Sequence, residues 1–151
     1  MQKKTWTGSW RWTLCVALFA AAYLLFMGNL LFANGRVPGE SYRYNLIPFE
    51  TVKPLLLEKH KFSTEAWVKN LFGNIVLFIP LGLWIPVLFR SFRTFFRITA
   101  AVIVLLLAVE FTQLVTRVGT FDVDDLMLNT LGAWLGYAMC RGYVRLRFGS
   151  R

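Results

Sequence analysis

Residues 98–113 read Ile98-Thr-Ala-Ala-Val-Ile-Val-Leu-Leu-Leu-Ala-Val-Glu110-Phe-Thr-Gln113, an apolar run that carries a single carboxylate. An α-helix of about 20 mainly apolar residues is long enough to cross the hydrocarbon core of a membrane. A carboxylate inside such a helix is costly, and it usually faces a polar partner or a water-filled cavity. The run therefore predicts a transmembrane helix, and Glu110 is its first candidate for a functional residue.

Three more apolar stretches of similar length lie elsewhere in the chain. The four predicted spans are residues 12–33, 70–89, 98–116 and 126–144. Of the 151 residues, 56% are hydrophobic and only 17% are charged, whereas a soluble domain carries about 25% charged residues. These features predict one all-α domain over residues 1–151, a small integral membrane bundle of four transmembrane helices. The first stretch follows Lys3 and Lys4 as a signal peptide would, but it is too long and lacks a cleavage site, so we expect a membrane anchor.

The basic residues collect on one side of this predicted topology. Three segments on that side contain no acidic residue, and their basic residues are Lys3, Lys4, Arg11, Arg90, Arg93, Arg97, Arg141, Arg145, Arg147 and Arg151. By the positive-inside rule this side is cytoplasmic, so both termini are predicted inside and the acidic connections 34–69 and 117–125 outside. The net charge of +9 is therefore assigned to membrane topology. Because no groove-reading motif is present, we expect no nucleic-acid partner.

The first outer connection, 34–69, is too long for a plain turn, and long connections are often functional. Its start, 34–39, predicts a turn. Residues 53–69 predict an amphipathic helix on the membrane surface, within which Ser63 is expected to act as a helix cap.

Polar residues are expected to meet near the outer membrane surface. At a rise of 1.5 Å per residue, Glu110 lies about 20 Å along its span, in the outer third. Lipid cannot satisfy polar groups at this depth, so they are expected to face one another or an outward-facing cavity. Polar residues of the third and fourth spans recur at spacings of three, four and seven, so on each of these spans they are expected to share one helical face. The predicted ligand-binding residues are Asn74, Glu110, Gln113, Arg117, Asp122, Asp125 and Asn129.

Small and kinking residues predict how the spans pack. Gly132 and Gly136 form a Gly-x-x-x-Gly pair, which lets a neighbouring helix approach closely. Pro80 and Pro86 interrupt the hydrogen bonding of the second span and predict a kink.

Structural alternatives stay open for the buried polar residues. Polar side chains in membranes also bond across helices simply to hold them together. Glu110 can instead pair with Arg117 or Arg43, or share a hydrogen bond with Gln113. For any of these residues, a role in packing competes with a role in ligand binding.

The aspartates before the fourth span carry separate expectations. Asp122 can cap the fourth helix, because Asp is favoured there and complements the helix dipole. Asp124 is expected at the surface. A Mg²⁺ or Ca²⁺ ion held by Glu110, Asp122 and Asp125 is chemically feasible, since these ions prefer oxygen ligands. Our prediction is nevertheless that the protein has no cofactor and no metal site.

Cys15 and Cys140 each lie in an apolar stretch without a Cys or His neighbour, so no metal or redox motif is indicated. Both are expected to be buried, reduced thiols, with a disulfide as the alternative. His60 is alone in its connection and is expected to be an ordinary interfacial residue.

Four motifs recur in order along the chain. They are Asn45-Leu-Ile-Pro-Phe-Glu-Thr51, Gly73-Asn-Ile-Val-Leu-Phe-Ile-Pro-Leu-Gly82, Glu110-Phe-Thr-Gln113, and Arg117 followed by Phe121-Asp-Val-Asp-Asp-Leu-Met-Leu-Asn-Thr-Leu-Gly132. In order and spacing they resemble the VanZ-like family of small bacterial membrane proteins. The resemblance covers a core of about residues 44–137. The first span and the C-terminal tail carry no motif and are similar to the family only in their general character.

The resemblance implies a multi-pass protein of the bacterial inner, or cytoplasmic, membrane. The family is named for a protein associated with resistance to the glycopeptide antibiotic teicoplanin. We therefore expect binding of an envelope ligand at the outer leaflet, either a cell-wall lipid intermediate or a lipoglycopeptide, with membrane lipids as further partners. Glu110 would be the buried acid oriented by Gln113, and Arg117 would meet a phosphate or carboxylate.

Two other functions remain open from the sequence. One is a membrane enzyme acting on a lipid-linked envelope substrate, with Glu110 or Asp125 as general acid or base, although no nucleophile is evident. The other is a structural or assembly membrane protein, in which the polar residues only join helices and no small-molecule site exists.

Overall fold

The structure is a computed structural model, and it describes residues 10–33 and 36–148. Several sequence predictions fall on other positions. Lys3, Lys4, Asn34, Arg151 and the side chain of Arg147 lie outside the described residues. The cytoplasmic position of both termini stays a prediction.

The described chain is mainly helical, with two very short strands. In chain order the elements are α1 (Trp10–Phe32), β1 (Arg43–Asn45), α2 (Val52–Leu57), α3 (Thr64–Val68), α4 (Asn74–Leu88), α5 (Phe95–Thr116), β2 (Thr120–Asp122) and α6 (Val123–Phe148). Single 3₁₀ turns lie at Lys59–Lys61 and Arg90–Phe92, and a π turn at Lys69–Gly73 joins α3 to α4.

Three described helical segments are long and apolar enough to cross a membrane. They are Trp10–Phe32, Thr64–Leu88 and Phe95–Thr116. The middle segment combines α3, the π turn and α4, so it begins six residues earlier than the predicted span. These segments confirm an all-α membrane bundle. The longest helix, α6, is not among them, because polar residues such as Asp125, Asn129 and Arg141 interrupt its apolar sequence. A fourth span therefore stays a prediction.

The closest helix contact in the bundle joins α4 and α6. A Cβ atom added to Gly132 would overlap the carbonyl oxygen of Ile75, and one added to Gly136 would overlap that of Ile79. From the other side, Gly82 on α4 meets the backbone of Ala133. The Gly-x-x-x-Gly pair therefore allows the two backbones to touch, as the sequence predicts.

An apolar core lies between α4, α5 and α6. Its fully buried members include Ile98, Val102 and Leu106 on α5, spaced by four residues along one helical face. Met27 is the contribution of α1 to this core. The side chains that α1 turns away from the bundle are largely exposed, as expected for a helix that faces lipid.

The helix α1 is attached to α4 mainly through Tyr23. The Tyr23 hydroxyl donates a hydrogen bond to the carbonyl of Leu77, and its ring meets Trp84 edge to face, with centroids 5.2 Å apart. Near the end of α1, the amide of Gln113 donates to the carbonyl of Leu31 over 2.9 Å. These contacts fix α1 beside the bundle at two heights.

Neither cysteine is in a disulfide. Cys140 on α6 is buried, as expected, but Cys15 is exposed. The expectation for Cys15 is wrong because α1 packs against its neighbours along a narrow face only. Both thiols border an apolar cavity of about 500 Å³ between α1, α4 and α6.

The outer connection is more folded than its sequence predicts. The single amphipathic helix expected at 53–69 is wrong: α2 ends at Leu57 and α3 begins at Thr64. The indole of Trp67 donates to the carbonyl of Leu55 over 2.7 Å, which folds α3 back against α2. Ser63 caps α3, as predicted, by accepting a hydrogen bond from the backbone of Ala66.

The two strands join this connection to the segment between α5 and α6. β1 and β2 pair in parallel, with Arg43 opposite Thr120 and Asn45 opposite Asp122. A hydrogen bond of 2.9 Å from the backbone N–H of Gly39 to the carbonyl of Arg117 extends the attachment. The pairing brings residues 43–45 of the outer connection over the end of α5 and the start of α6.

Candidate binding cavity

A polar cavity of about 450 Å³ opens where these elements meet. Six of the seven predicted ligand-binding residues line it: Asn74, Glu110, Gln113, Asp122, Asp125 and Asn129. Its other polar lining residues are Arg36, Arg43, Asn45, Thr51, Asn70 and Thr120. The structure therefore brings together, from several elements, residues that the sequence placed at similar depth.

Arg117 is the predicted site residue that does not line this cavity. Its guanidinium lies over the ring of Tyr42, 4.6 Å from the centroid, and is 3.4 Å from the Tyr42 hydroxyl. The prediction placed Arg117 on the face of Glu110 by helical spacing. α5 ends at Thr116, however, and Arg117 takes the left-handed conformation with φ 58°. The helical period therefore stops before it reaches Arg117.

Glu110 is buried, and its carboxylate accepts a hydrogen bond of 3.2 Å from the backbone N–H of Asp122. Among the described residues, Glu110 forms no ion pair with Arg117 or Arg43. Nor does Gln113 orient Glu110, since the Gln113 amide donates to α1. The partner of Glu110 is thus the backbone at the start of α6, which the sequence alternatives did not include.

Asp122 caps the helix α6, which is the structural alternative proposed for it from the sequence. Its side chain accepts a hydrogen bond of 2.9 Å from the backbone N–H of Asp124 in the first turn of α6, the geometry of an N-cap. It also accepts 2.6 Å and 3.1 Å bonds from the side chains of Thr51 and Asn45. Asp122 therefore caps α6 and holds the outer connection to it.

Asp124 is only 1% exposed, so its expected surface position is wrong. Its carboxylate accepts bonds of 2.6 to 3.0 Å from the backbone N–H groups of Phe49, Thr51 and Val52. These three donors belong to a tight turn in which Phe49 has a positive φ of 67°. The carboxylate is the acceptor for all three backbone N–H groups of this turn, so Asp124 holds the outer connection in place.

Asp125 joins α6 to α4. One of its oxygens accepts a hydrogen bond from the side-chain amide of Asn74, which also donates over 3.3 Å to the carbonyl of Asn70. Asp125 is half-buried and lines the cavity. Its pairing with Asn74 places these two positions side by side on neighbouring helices.

Asn129 lies one helical turn beyond Asp125 and is 5% exposed. Its side-chain oxygen is buried and has no hydrogen-bond partner among residues 10–33 and 36–148. A buried amide usually finds partners within the protein. Asn129 therefore stands out as a polar group in the cavity wall whose bonding capacity the chain leaves unused.

The sequence analysis missed Asn45, Thr51, Arg36 and Arg43 as cavity residues. A signal existed for the first two, which begin and end the first motif of the resemblance. The sequence named Arg43 only as an alternative ion-pair partner of Glu110, and strand pairing carries it to the cavity. No local pattern points to Arg36, which is held there by bonds to the carbonyls of Leu30 and Val118. Within the part of the chain that the structure describes, no three His, Cys, Asp or Glu side chains are grouped to hold a metal ion.

The order and spacing of these residues can be compared with known proteins. The model of the VanZ/LLP1 family matches residues 13–146, nearly all of the described chain. The chain belongs to the VanZ/LLP1 family. Over 94 residues it is 30% identical to Protein VanZ of Enterococcus faecium, an alignment that covers 62% of this chain and 58% of that protein. The chain thus matches little more than half of that VanZ relative. No solved structure matches the chain.

Family membership and helix composition agree on the broad class of the molecule. The family match extends across all three apolar helical segments and α6. The protein is therefore a VanZ-like membrane protein, and residues of all four sequence motifs line its polar cavity.

Proposed function

We propose that this protein binds an envelope lipid intermediate or a lipoglycopeptide in the polar cavity. The observation that carries the proposal is that Glu110, Asp125 and Asn129 face one cavity from two helices while retaining unused hydrogen-bonding capacity. Polar groups at membrane depth are costly and are commonly retained for function. Hydrogen bonds within the protein explain why Asp122 and Asp124 are buried, but they do not use the full bonding capacity of these three residues.

The proposal includes a membrane topology with four spans and both termini in the cytoplasm. α6 has 26 residues, and at 1.5 Å per residue such a helix is about 39 Å long. That length exceeds the hydrocarbon thickness of about 30 Å. With the arginine-rich ends inside, the cavity opens toward the outer leaflet of the bacterial cytoplasmic membrane.

The cavity suits an amphiphilic ligand that has an anionic, hydrogen-bonding head. Arg36 and Arg43 are exposed at its mouth, and arginine binds phosphate or carboxylate groups through paired N–H donors. The exposed apolar surface of the helices offers a place for the hydrophobic part of the same ligand. Capture of a lipoglycopeptide in this way would account for a role in teicoplanin resistance.

The test is the thermal stability of detergent-purified protein with a lipid-linked cell-wall intermediate or teicoplanin. A ligand that binds only the native state at a hundredfold excess over its Kd adds about 2.7 kcal/mol to the free energy of unfolding. We expect such a rise in Tm for the wild type and a much smaller one for Glu110→Gln and Asp125→Asn. Both substitutions keep the oxygen that accepts the bond seen in the structure, so the variants should fold.

Arg117→Gln is the matched control, because Arg117 is a motif residue outside the cavity. It should keep the full ligand-induced rise in Tm. If Glu110→Gln and Asp125→Asn retain the wild-type response, or no ligand raises the Tm of any variant, binding at this cavity is wrong.

A further inference from the structure

We propose that the cavity recognises a zwitterionic head in which an ammonium group with N–H donors lies next to a phosphate, as in phosphatidylethanolamine. This inference rests on the proposed function and names the chemistry of its ligand. It follows from which hydrogen-bonding groups of the cavity the protein already uses and which it leaves free.

The inner wall, defined here as Glu110, Asp125 and Asn129, has acceptors to spare. The carboxylate of Glu110 receives one bond, from a backbone N–H, and that of Asp125 receives one bond, from Asn74. The oxygen of the buried Asn129 receives none within the described chain. Each carboxylate can accept several hydrogen bonds, so the wall has the capacity for several additional donors.

The neighbouring amides can supply few of those donors, because most of their N–H groups are engaged elsewhere. The amide of Asn74 donates to Asp125 and to a backbone carbonyl. The amide of Gln113 donates to α1, and that of Asn45 donates to Thr51 and Asp122. Gln113 keeps one amide N–H, which is too few for three side chains with spare acceptors. We therefore expect most of the donors that complete the inner wall to come from what enters the cavity.

An ammonium group meets this need best. It presents three N–H donors on one atom and no acceptor, and its positive charge offsets the two carboxylates. A metal ion fits less well, because no three His, Cys, Asp or Glu side chains are grouped to hold one among residues 10–33 and 36–148. An anionic group alone could bind the arginines that line the cavity, but it would leave the carboxylates of the inner wall without donors.

The rim of the cavity, defined here as Arg36 and Arg43, has the opposite chemistry. Arg36 is held there by bonds of 3.4 Å and 3.0 Å to the carbonyls of Leu30 and Val118. Arg43 lies in β1, is exposed, and has no ion pair with a described residue. A positive rim beside a negative inner wall matches a ligand whose phosphate is joined through a short linker to an ammonium group.

The deciding experiment compares two short-chain lipids in detergent, phosphatidylethanolamine and phosphatidylcholine. Both carry one phosphate and one positive nitrogen, but methyl groups replace all N–H donors in phosphatidylcholine. We expect phosphatidylethanolamine to raise the Tm of the wild-type protein and phosphatidylcholine to raise it by less than half as much. The mono- and dimethylated lipids should give intermediate shifts.

Variants then locate the effect. Asn129→Leu and Asp125→Asn should each lose at least half of the Tm shift caused by phosphatidylethanolamine, while Arg117→Gln should keep it. If Asn129→Leu does not fold, the comparison of lipids on the wild-type protein still decides the question. Equal shifts for the two lipids would overturn the inference, since N–H donors would then be irrelevant.

The outcome separates this inference from the function on which it rests. If neither phospholipid shifts the Tm but teicoplanin or a lipid-linked intermediate does, the ammonium–phosphate assignment is wrong and the proposed binding function stands. If none of these ligands shifts it, both are wrong.

Discussion

The α4–α6 pair and the helix α1 are held in the same bundle by different means. α4 and α6 touch backbone to backbone across three glycines, whereas α1 attaches through a few side chains. Of the apolar residues that could cross a membrane, 11% are buried in α1, against 22% in the segment that contains α4. The cavity is lined mainly by residues of the tightly packed elements and the outer connection. The comparison suggests that the geometry of the site depends on α4 and α6 and that α1 mainly covers its side.

The substitution Gly132→Leu should break the tight pair and have the largest effect on stability. Its side chain would collide with the backbone of Ile75, which cannot move without separating α4 from α6. Overpacking typically costs about 1–3 kcal/mol, and a collision with backbone should cost at least the upper value. Thermal unfolding and gel filtration in detergent measure the loss of folded protein.

Gly142→Leu on the same helix is the control for that substitution. A Cβ atom there would meet nothing within 4 Å, so this variant should keep the Tm of the wild type to within a few degrees. If the two variants melt alike, close contact at Gly132 does not hold the bundle together.

Removing the carboxylate of Asp124 should have the second-largest effect, because it releases the outer connection from α6. In Asp124→Ala, three backbone N–H groups lose their acceptor. One hydrogen bond to a charged group is worth about 1.5–3 kcal/mol. Because this turn is partly exposed, the freed N–H groups can bind water instead, so we expect the three losses together to cost no more than about 3 kcal/mol. Limited proteolysis should then cut within residues 46–62, whereas the same region of the wild type should resist cleavage.

Glu50→Gln tests whether a nearby acidic side chain matters by charge alone. Glu50 is exposed in the same turn, and its substitution should leave both the Tm and the proteolysis pattern unchanged. Cleavage equal to that of Asp124→Ala would mean that the turn is not held by the buried carboxylate.

Tyr23→Phe should have a smaller effect, since it removes one attachment of α1. The lost bond to the carbonyl of Leu77 is worth about 1 kcal/mol, and the ring can still pack against Trp84. The Tm should fall by a few degrees, and Tyr143→Phe, at an exposed hydroxyl, should not change it. A fall as large as that of Gly132→Leu would erase the distinction between α1 and the tight pair.

Labelling of the two cysteines should also distinguish the loosely packed α1 from the tightly packed α6, and cysteine-to-serine variants should hardly change the stability. In folded protein a small, apolar maleimide that enters detergent micelles should label Cys15 on α1 faster than the buried Cys140 on α6. Cys15→Ser and Cys140→Ser variants identify the thiol that reacts, and unfolding should make both reactive. Equal rates in the folded protein would show that α6 is as accessible as α1.

The helical periods in the sequence predicted much of the cavity. They placed Asp125 and Asn129 on one face of α6, and the depth of Asn74 placed it beside them. The same periods identified the glycine contact between α4 and α6. These inferences succeeded because, inside a regular helix, the spacing of residues along the chain fixes the direction in which each side chain points and its height along the helix axis.

The remaining contacts depend on residues where the helices end. Arg117 leaves the predicted face because its backbone turns left-handed at the end of α5. Asp124 is buried by backbone N–H groups more than 70 positions away in the sequence, and no local pattern encodes donors of that kind. The pairing of β1 with β2 is of the same type, since strands of three residues have too few side chains to show a period.

The separation along the chain between Asn45 and Asp122 has a consequence for biogenesis. The residues that the two strands join are 77 positions apart, so the outer connection is synthesised well before the segment that binds it. Until α5 and the start of α6 follow, the turn at Phe49 lacks its acceptor and the cavity lacks a wall. A nascent chain therefore acquires its ligand site only late in translation, and a chain truncated before Asp122 would enter the membrane without one.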